Sequence, residues 1–356
     1  MQNSIGTVLT LTTFGESHGK AVGGVLDGCP PGIKIDFSAI TRQLERRSPS
    51  KGKYASGRKE KDAVEFLSGI SEGFSIGTPI AFILRNEDPR SKDYQHLANL
   101  YRPSHADLAW ELKFGIPSGP GGGRSSARAL APCVVAGTIA EQIIRQKSFS
   151  VLAWVSSIGP LASNVDSEKL RLADIEASPL RCPDKAATHK MVKWLDDLKK
   201  KGDTAGGTIT CMVRHCPAGL GEPAYGKLHA ALAQAMLSIN SVKGFEIGAG
   251  FNGTVMTGSQ YNDVLEVRKG KPATLSNNDG GVNGGISNGQ TLIFRVALKP
   301  IPSIKMTQKT ITRDGKSTKV NIEGRHDTCV LPRAVPIVEA LTKLVIADNY
   351  LMQKMK

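Results

Sequence analysis

The order of strand-like and helix-like runs constrains this chain most. Residues 6–14, rich in Thr, Val and Leu, and residues 21–26 read as neighbouring strands with only a glycine-flanked turn between them. Strand-like runs recur at residues 207–214 and 290–298, among helical patterns that start near Ser125, Ala187, Tyr225 and Arg333. Leu228, Leu232, Met236 and Ile239 keep a 3.6-residue period, the mark of a helix with one buried face. Ile40 and Leu44, four apart, predict another helix, capped by Ser38. Strands outside βαβ alternation, mixed with a few long helices, predict an α+β fold. Long helices follow a strand-rich stretch in each half, which permits an internal duplication without a strict sequence repeat.

The chain has 356 residues, of which 40% are hydrophobic and 22% charged, so it folds around a sizeable core. Its net charge of +14 calls for an anionic partner: nucleic acid, a membrane surface or a multiply charged small molecule. Residues 41–61 alone hold eight Lys and Arg against two Glu. Aromatics are 5% of the chain and none interleave the glycine-rich loops, which removes the stacking platforms that nucleic acid needs. The longest uncharged apolar run, residues 129–140, stops at Glu141, short of the ~18 residues of a membrane span. The first cation is Lys20, so a basic secretory start is missing, and a cytoplasmic protein is expected. Six scattered cysteines without a C-x-x-C predict reduced thiols, and Cys211, His215 and Cys216 lack the second cluster a zinc site needs.

Four stretches carry chemistry. Gly15-Glu16-Ser17-His18-Gly19 fits the nucleophile elbow G-x-S-x-G, but only 14 residues precede it, too few for the strands and oxyanion loop of a serine hydrolase. What remains is a hydroxyl beside an imidazole, suited to proton transfer. Residues 119–128, Gly-Pro-Gly-Gly-Gly-Arg-Ser-Ser-Ala-Arg, let the backbone approach a ligand, with the start of a helix, Arg124 and Arg128 to hold an anion. The stretch is neither a Walker A loop nor a Rossmann fingerprint. Residues 277–289 form a second glycine and asparagine cradle, and residues 324–329 place Arg325, His326 and Asp327 in succession. The set suits an anionic small molecule and a phosphate-bearing cofactor, with acid–base work between them.

These residues resemble the chorismate synthase family. The likeness spans nearly the whole chain through Gly15 to Gly19, Asp27-Gly28-Cys29-Pro30-Pro31-Gly32, Arg102-Pro103-Ser104-His105-Ala106-Asp107, Gly121 to Arg128, Met236 to Asn240, Gly284 to Gly289 and Gly324 to Asp327. The resemblance implies a single domain over residues 1–356, a β-α-β sandwich with two pseudo-repeated halves, assembled as a homotetramer. It implies a lyase that eliminates phosphate from 5-enolpyruvylshikimate 3-phosphate to give chorismate, requiring reduced FMN without net redox change. NADPH would be the indirect electron source, through an external flavin reductase. By resemblance His18 protonates the departing phosphate, His105 serves the flavin near N1, and Asp327 works near N5 in a relay with Ser17 and Ser126. Arg124, Ser125, Ser126, Asn240, Ser241, Gly284, Lys299, Pro300, Ile301, Pro302, Ser303 and Arg325 match flavin-binding positions. Arg47, Lys53 and Arg128 match positions for NADPH or substrate anions, and no metal is implied.

Four positions depart from the family pattern: Ser104 replaces a usual glycine, Ala129-Leu130 a usual Glu-Thr, Lys53 an arginine, and Asp279 a small neutral residue. None removes an acid or base. The competing readings are a non-catalytic flavin- or phosphate-binding relative, marked by flavin binding without turnover, and a basic RNA-binding protein, marked by salt-sensitive RNA binding without flavin affinity.

Overall fold

The computed structural model describes residues 2–48, 54, 62–87, 97–144, 147–268, 270–322 and 327–355. The first half contains β1 (Ser4–Ile5), β2 (Thr10–Gly15), β3 (Ala21–Asp27), α1 (Phe37–Arg47), β4 (Val64–Phe66), β5 (Ile80–Arg85), α2 (Asp107–Phe114) and α3 (Ala131–Ile143). The second contains β6 (Ser150–Ile158), β7 (Leu161–Ala162), α4 (Lys185–Lys201), β8 (Gly207–Arg214), α5 (Leu228–Leu237), β9 (Val242–Ile247), β10 (Leu292–Leu298) and α6 (Leu331–Lys354).

Each half builds one five-stranded antiparallel sheet, ordered β1-β2-β3-β5-β4 and β7-β6-β8-β10-β9. The connectivity is the same in both. Two paired strands lead to a helix (α1 or α5), then an edge strand, then a strand inserted beside the second, then a long helix (α3 or α6). This is the duplication that the sequence permits without displaying. Helix α3 packs on β2, β3 and β5, α6 packs on β6 and β8, and the two helices press against each other between the sheets. The fold is α+β, a β-α-β sandwich.

Three features of α6 join the halves. Gly137 of α3 meets Ala340, where a Cβ would lie 2.4 Å from the Ala340 carbonyl oxygen and 2.5 Å from its Cα. Glu339, buried, accepts the Ala153 N–H of β6 at 3.0 Å and pairs with Arg46 of α1. Asp348, also buried, accepts the N–H groups of Thr7, Val8 and Leu9 at 2.9, 2.7 and 2.9 Å. A proline inside the helix, Pro336, cannot donate to Pro332, and the Arg181 guanidinium donates to that carbonyl instead.

Several expectations shift. The strand expected at 6–14 begins only at Thr10, because Asp348 rather than a strand takes the N–H groups of residues 7–9. Asp36, not Ser38, caps α1: its Oδ1 accepts from Ala39 N–H at 2.8 Å and from the Ser38 hydroxyl at 2.6 Å. The helix expected at Ser125 starts at Ala131, after short 3-10 turns, because Ser126 is extended and its hydroxyl caps the Arg128 N–H. The last two helices start at Leu228 and Leu331 rather than at Tyr225 and Arg333. The strand at 207–214 is as expected, and the one at 290–298 is trimmed to Leu292–Leu298.

Because the atoms facing Gly137 are backbone, they cannot swing aside. Gly137→Ala is expected to lower unfolding free energy by about 1–3 kcal/mol, the usual cost of overpacking. Urea titration measures it, and an unchanged midpoint would show that α3 and α6 separate freely.

Candidate active site

The Ser17–His18 turn joins β2 to β3 on the first sheet. It packs against the glycine loop before α3: a Cβ on Gly121 would lie 2.5 Å from His18 Cδ2 and 3.2 Å from Ser17 Oγ. One residue on, a Cβ on Gly122 would lie 2.8 Å from His105 Cε1. Consecutive glycines therefore receive both candidate histidines, which are 87 residues apart in sequence. The carbonyl of Gly123 accepts the backbone N–H groups of Ser17 and Ser126, at 3.4 and 3.3 Å, so these two serines converge on one oxygen.

His105 is oriented by its neighbours. Its Nδ1 lies 2.9 Å from Asp107 Oδ1, and Arg102 grips that carboxylate with Nε and Nη2, both at 2.7 Å. Burial would push the Asp107 carboxyl up, but hydrogen bonds from His105 and Arg102 outweigh it and hold the group well below the usual carboxylate range. The pairing leaves the Cε1–Nε2 edge of the ring toward the loop. Just before it, Ser104 adopts φ 56°, a left-handed conformation that a glycine takes without strain.

The flavin-binding expectations gather at the same place in part. Asn240 donates from Nδ2 to the Ser125 carbonyl at 2.8 Å. The Ser241 carbonyl accepts the Lys299 N–H at 2.9 Å, and Lys299 Nζ donates to the Ser104 carbonyl at 2.7 Å. A continuous chain thus runs from Ser125 through Asn240, Ser241 and Lys299 to His105. Pro300 precedes Ile301 and Pro302, whose carbonyls accept from Thr204 and Gln308, and Ser303 is buried. Gly284 lies in the second cradle, which contacts the residues before α5, and a Cβ on it would meet nothing within 4 Å. Arg325, His326 and Lys53 lie outside the described residues, as does most of the basic stretch after Ser48.

The arginines are arranged differently from the expected anion clamp. Arg124 turns toward β2, donating to Thr13 Oγ1 at 2.7 Å and to the Gly15 carbonyl. Arg128 donates to Asn86 Oδ1 at 3.0 Å, to Asp62 and to the Arg85 carbonyl. Arg47 donates to the other oxygen of Asp62 at 2.6 Å. The Asp62 side chain is 1% exposed between these two guanidiniums. Its burial raises the carboxyl pKa, yet the attraction of Arg47 and then Arg128 prevails and lowers it. Asp327 pairs with Arg333 at 2.6 Å, and Arg333 Nε donates to the Arg47 carbonyl at 3.4 Å. Sequence reading missed Asp62, Asn86, Arg102, Asp107 and Arg333 as parts of the site. For Arg102 and Asp107 the signal was their place beside His105; Asp62 and Asn86 show none, since their partners lie far away in sequence.

The departures find physical settings too. Ala129 is buried and Leu130 packs against the core, so apolar residues suit those positions. Asp279 accepts from the Tyr261 hydroxyl at 3.0 Å and from Asn283 Nδ2 at 2.5 Å, which holds its charge within its own loop.

A profile of the family described as chorismate synthase matches residues 9–351. The chain belongs to the chorismate synthase family. It is 50% identical to the chorismate synthase of Christiangramia forsetii over 352 residues, covering 99% of this chain and 98% of that one. It is 49% identical to the chorismate synthase of Bacteroides fragilis over 355 residues, covering 100% and 99%. A solved structure titled as a crystal structure of chorismate synthase superposes with a TM-score of 0.75 at 28% identity, covering 98% of this chain and 93% of that one. Membership makes the chain a lyase of aromatic biosynthesis that forms chorismate from a small-molecule substrate. Among the described residues, no helix is long and apolar enough to cross a membrane.

Two outcomes follow for a chorismate synthase built this way. Ser104→Gly relieves a left-handed side-chain position and is expected to raise stability by about 0.5–1 kcal/mol in urea titration. A lowered midpoint would show that the Ser104 side chain stabilises the loop more than its conformation costs. Asp62 and Asp107 are both held below their ordinary value of 3.8, so their stabilisation is complete above that value and lost as pH falls through the lower folded ones. The thermal midpoint is therefore expected to drop below about pH 4, and Asp107→Asn to flatten part of that fall. An acid limb identical in the variant would remove Asp107 from the account.

Proposed function

We propose that elimination of phosphate from 5-enolpyruvylshikimate 3-phosphate takes place against the loop of Gly121, Gly122 and Gly123, with reduced FMN as the cofactor. The observation that carries this reading is the contact of His18 and His105 with consecutive glycines, which brings two imidazoles to one loop where no Cβ intrudes. The surroundings fit a flavin phosphate and a multi-anionic substrate. Among the described residues, Arg47 and Arg128 pair with Asp62 and Arg333 pairs with Asp327, so several guanidiniums that could meet anions are gathered in one place.

Ser125, Ser126, Asn240, Ser241, Gly284, the segment Lys299 to Ser303 and Arg325 would hold the flavin, with Arg124 contributing backbone while its guanidinium braces β2. Arg47, Lys53 and Arg128 would hold substrate anions or NADPH. The chemistry a bound reduced flavin supplies is transient electron density, returned by the end of the reaction, which suits loss of a hydrogen that no adjacent carbonyl acidifies. His18 donates a proton to the departing phosphate oxygen. His105, with Nδ1 fixed by Asp107, would steady the bound reduced flavin through its other nitrogen. Asp327, held by Arg333, would hold a proton beside the bound flavin, in a relay with Ser17 and Ser126. Electrons come from an external reductase, with NADPH as the distant source, in a cytoplasmic homotetramer. Burial between subunits would cover the exposed apolar side chains of Phe251, Val255, Leu265 and Val267.

The test is an anaerobic assay with substrate and dithionite-reduced FMN. Chorismate formation is expected, and flavin binding without turnover would favour the non-catalytic relative. His18→Ala and His105→Ala should each slow turnover by about 10²–10⁴-fold while flavin still binds. Asp327→Asn should cut turnover by roughly 10²-fold with substrate and FMN affinities little changed. Wild-type rates in all three would refute the assignment.

A further inference from the structure

The turn that carries Ser17 and His18 is short, and its own backbone supplies little to hold it. Within it, the Gly19 N–H donates to the Glu16 carbonyl at 3.1 Å, and Ser17 reaches out to Gly123 at 3.4 Å. The side chain of Asn86, just past the end of β5, closes the turn from the opposite side. Its Nδ2 donates to the Glu16 carbonyl at 3.0 Å and to the Gly19 carbonyl at 2.8 Å, the two residues that bracket Ser17 and His18. Its backbone N–H donates to the Lys20 carbonyl at 3.1 Å. The remaining polar atom of the side chain, Oδ1, accepts from Arg128 Nε at 3.0 Å.

We propose that Asn86 is a positioning residue that ties the proton donor His18 to the guanidinium of Arg128. The primary amide is the one small side chain that offers two donors to two carbonyls and an acceptor to a cation at once. Arg128 is fixed on its other side by Asp62, which also holds Arg47. Through Asn86, the groups that face the substrate's anionic charges and the group that protonates its leaving phosphate form one hydrogen-bonded unit. Such a unit sets the distance between binding and proton transfer, and a displacement of about 1 Å there is worth roughly 10² in rate.

This inference rests on the role given to His18 above, and its test separates the two. Asn86→Asp keeps the acceptor for Arg128 but turns an oxygen, instead of two N–H bonds, toward the carbonyls of Glu16 and Gly19. In the full-length chain, hydrogen exchange of residues 15–20 reads the clamp whether or not the chain turns over; faster exchange there, with α4 unchanged, is expected. With reduced FMN, kcat of Asn86→Asp should fall about 10–10²-fold, with KM for substrate within about threefold because Arg128 keeps its partner. On a His18→Ala background the same change should cost less than about threefold, since its effect passes through His18. A full additional loss on that background, an unchanged kcat, or unchanged exchange overturns the proposal. An inactive wild-type chain overturns the reading of His18 instead, and the exchange result still decides the clamp. Should Asn86→Asp not fold, Asn86→Ser goes through the same measurements, and failure of both to fold would make Asn86 a folding residue and refute the proposal.

Discussion

The crossing of α3 and α6 at Gly137 and Ala340 sets where everything else lies. Each helix belongs to one half and lines one sheet, so the separation at the crossing fixes the spacing of the two sheets. A side chain at Gly137 would push backbone against backbone, which no rotamer change relieves. The crossing is reinforced by polar contacts from the same helix. Glu339 reaches the second sheet through Ala153, and Asp348 gathers the three N–H groups that lead into β2 of the first. A buried carboxylate is costly unless its lone pairs are used, and both are used here on backbone or arginine donors. The start of β2, and with it the Ser17–His18 turn at its far end, is thereby held to a helix of the other half.

Buried charge is the second organising constraint. Asp62 lies between Arg47 and Arg128, and Asp327 pairs with Arg333, whose Nε in turn reaches the Arg47 carbonyl. Taking guanidiniums out of water is costly, and Asp62 and Asp327 are the partners that offset that cost among the described residues. An anion bound there would give these guanidiniums a further partner, as a substrate with several negative charges could. The net +14 of the whole chain points the same way at longer range, by raising the local concentration of such a substrate.

What the sequence made legible is what depends on local pattern. The strand at 207–214 and the buried face of α5 follow from periodicity, and the α+β class follows from element order. The glycine loop was legible as a place of close approach, and the structure specifies that the approach is to His18 and His105. Patterns failed where a distant side chain took over a local group. Asp348 captures residues 7–9 from more than 300 residues away and shortens the first strand. Asp36 outcompetes Ser38 for the α1 cap because its carboxylate accepts from both the backbone and the serine. Asp62 and Asn86 belong to the same class: nothing in their neighbourhoods distinguishes them from solvated polar residues.

The duplicated topology also explains why the site is asymmetric. In the first half, the strand pair β2–β3 is joined by the short turn of Ser17 and His18; in the second, the equivalent pair β6–β8 is separated by β7 and α4. The first long helix is preceded by the glycine loop and the second by the segment that ends at Asp327. Equivalent positions in the two halves thus carry different connections, and it is the connections that bear the histidines, the glycines and the acid. A short connection in one half places Ser17 and His18, while connections of the other supply Asn240, which meets Ser125, and Lys299, which meets Ser104. One repeated scaffold thereby brings chemically different connections to the same loop, the histidines from one half and Asn240 from the other.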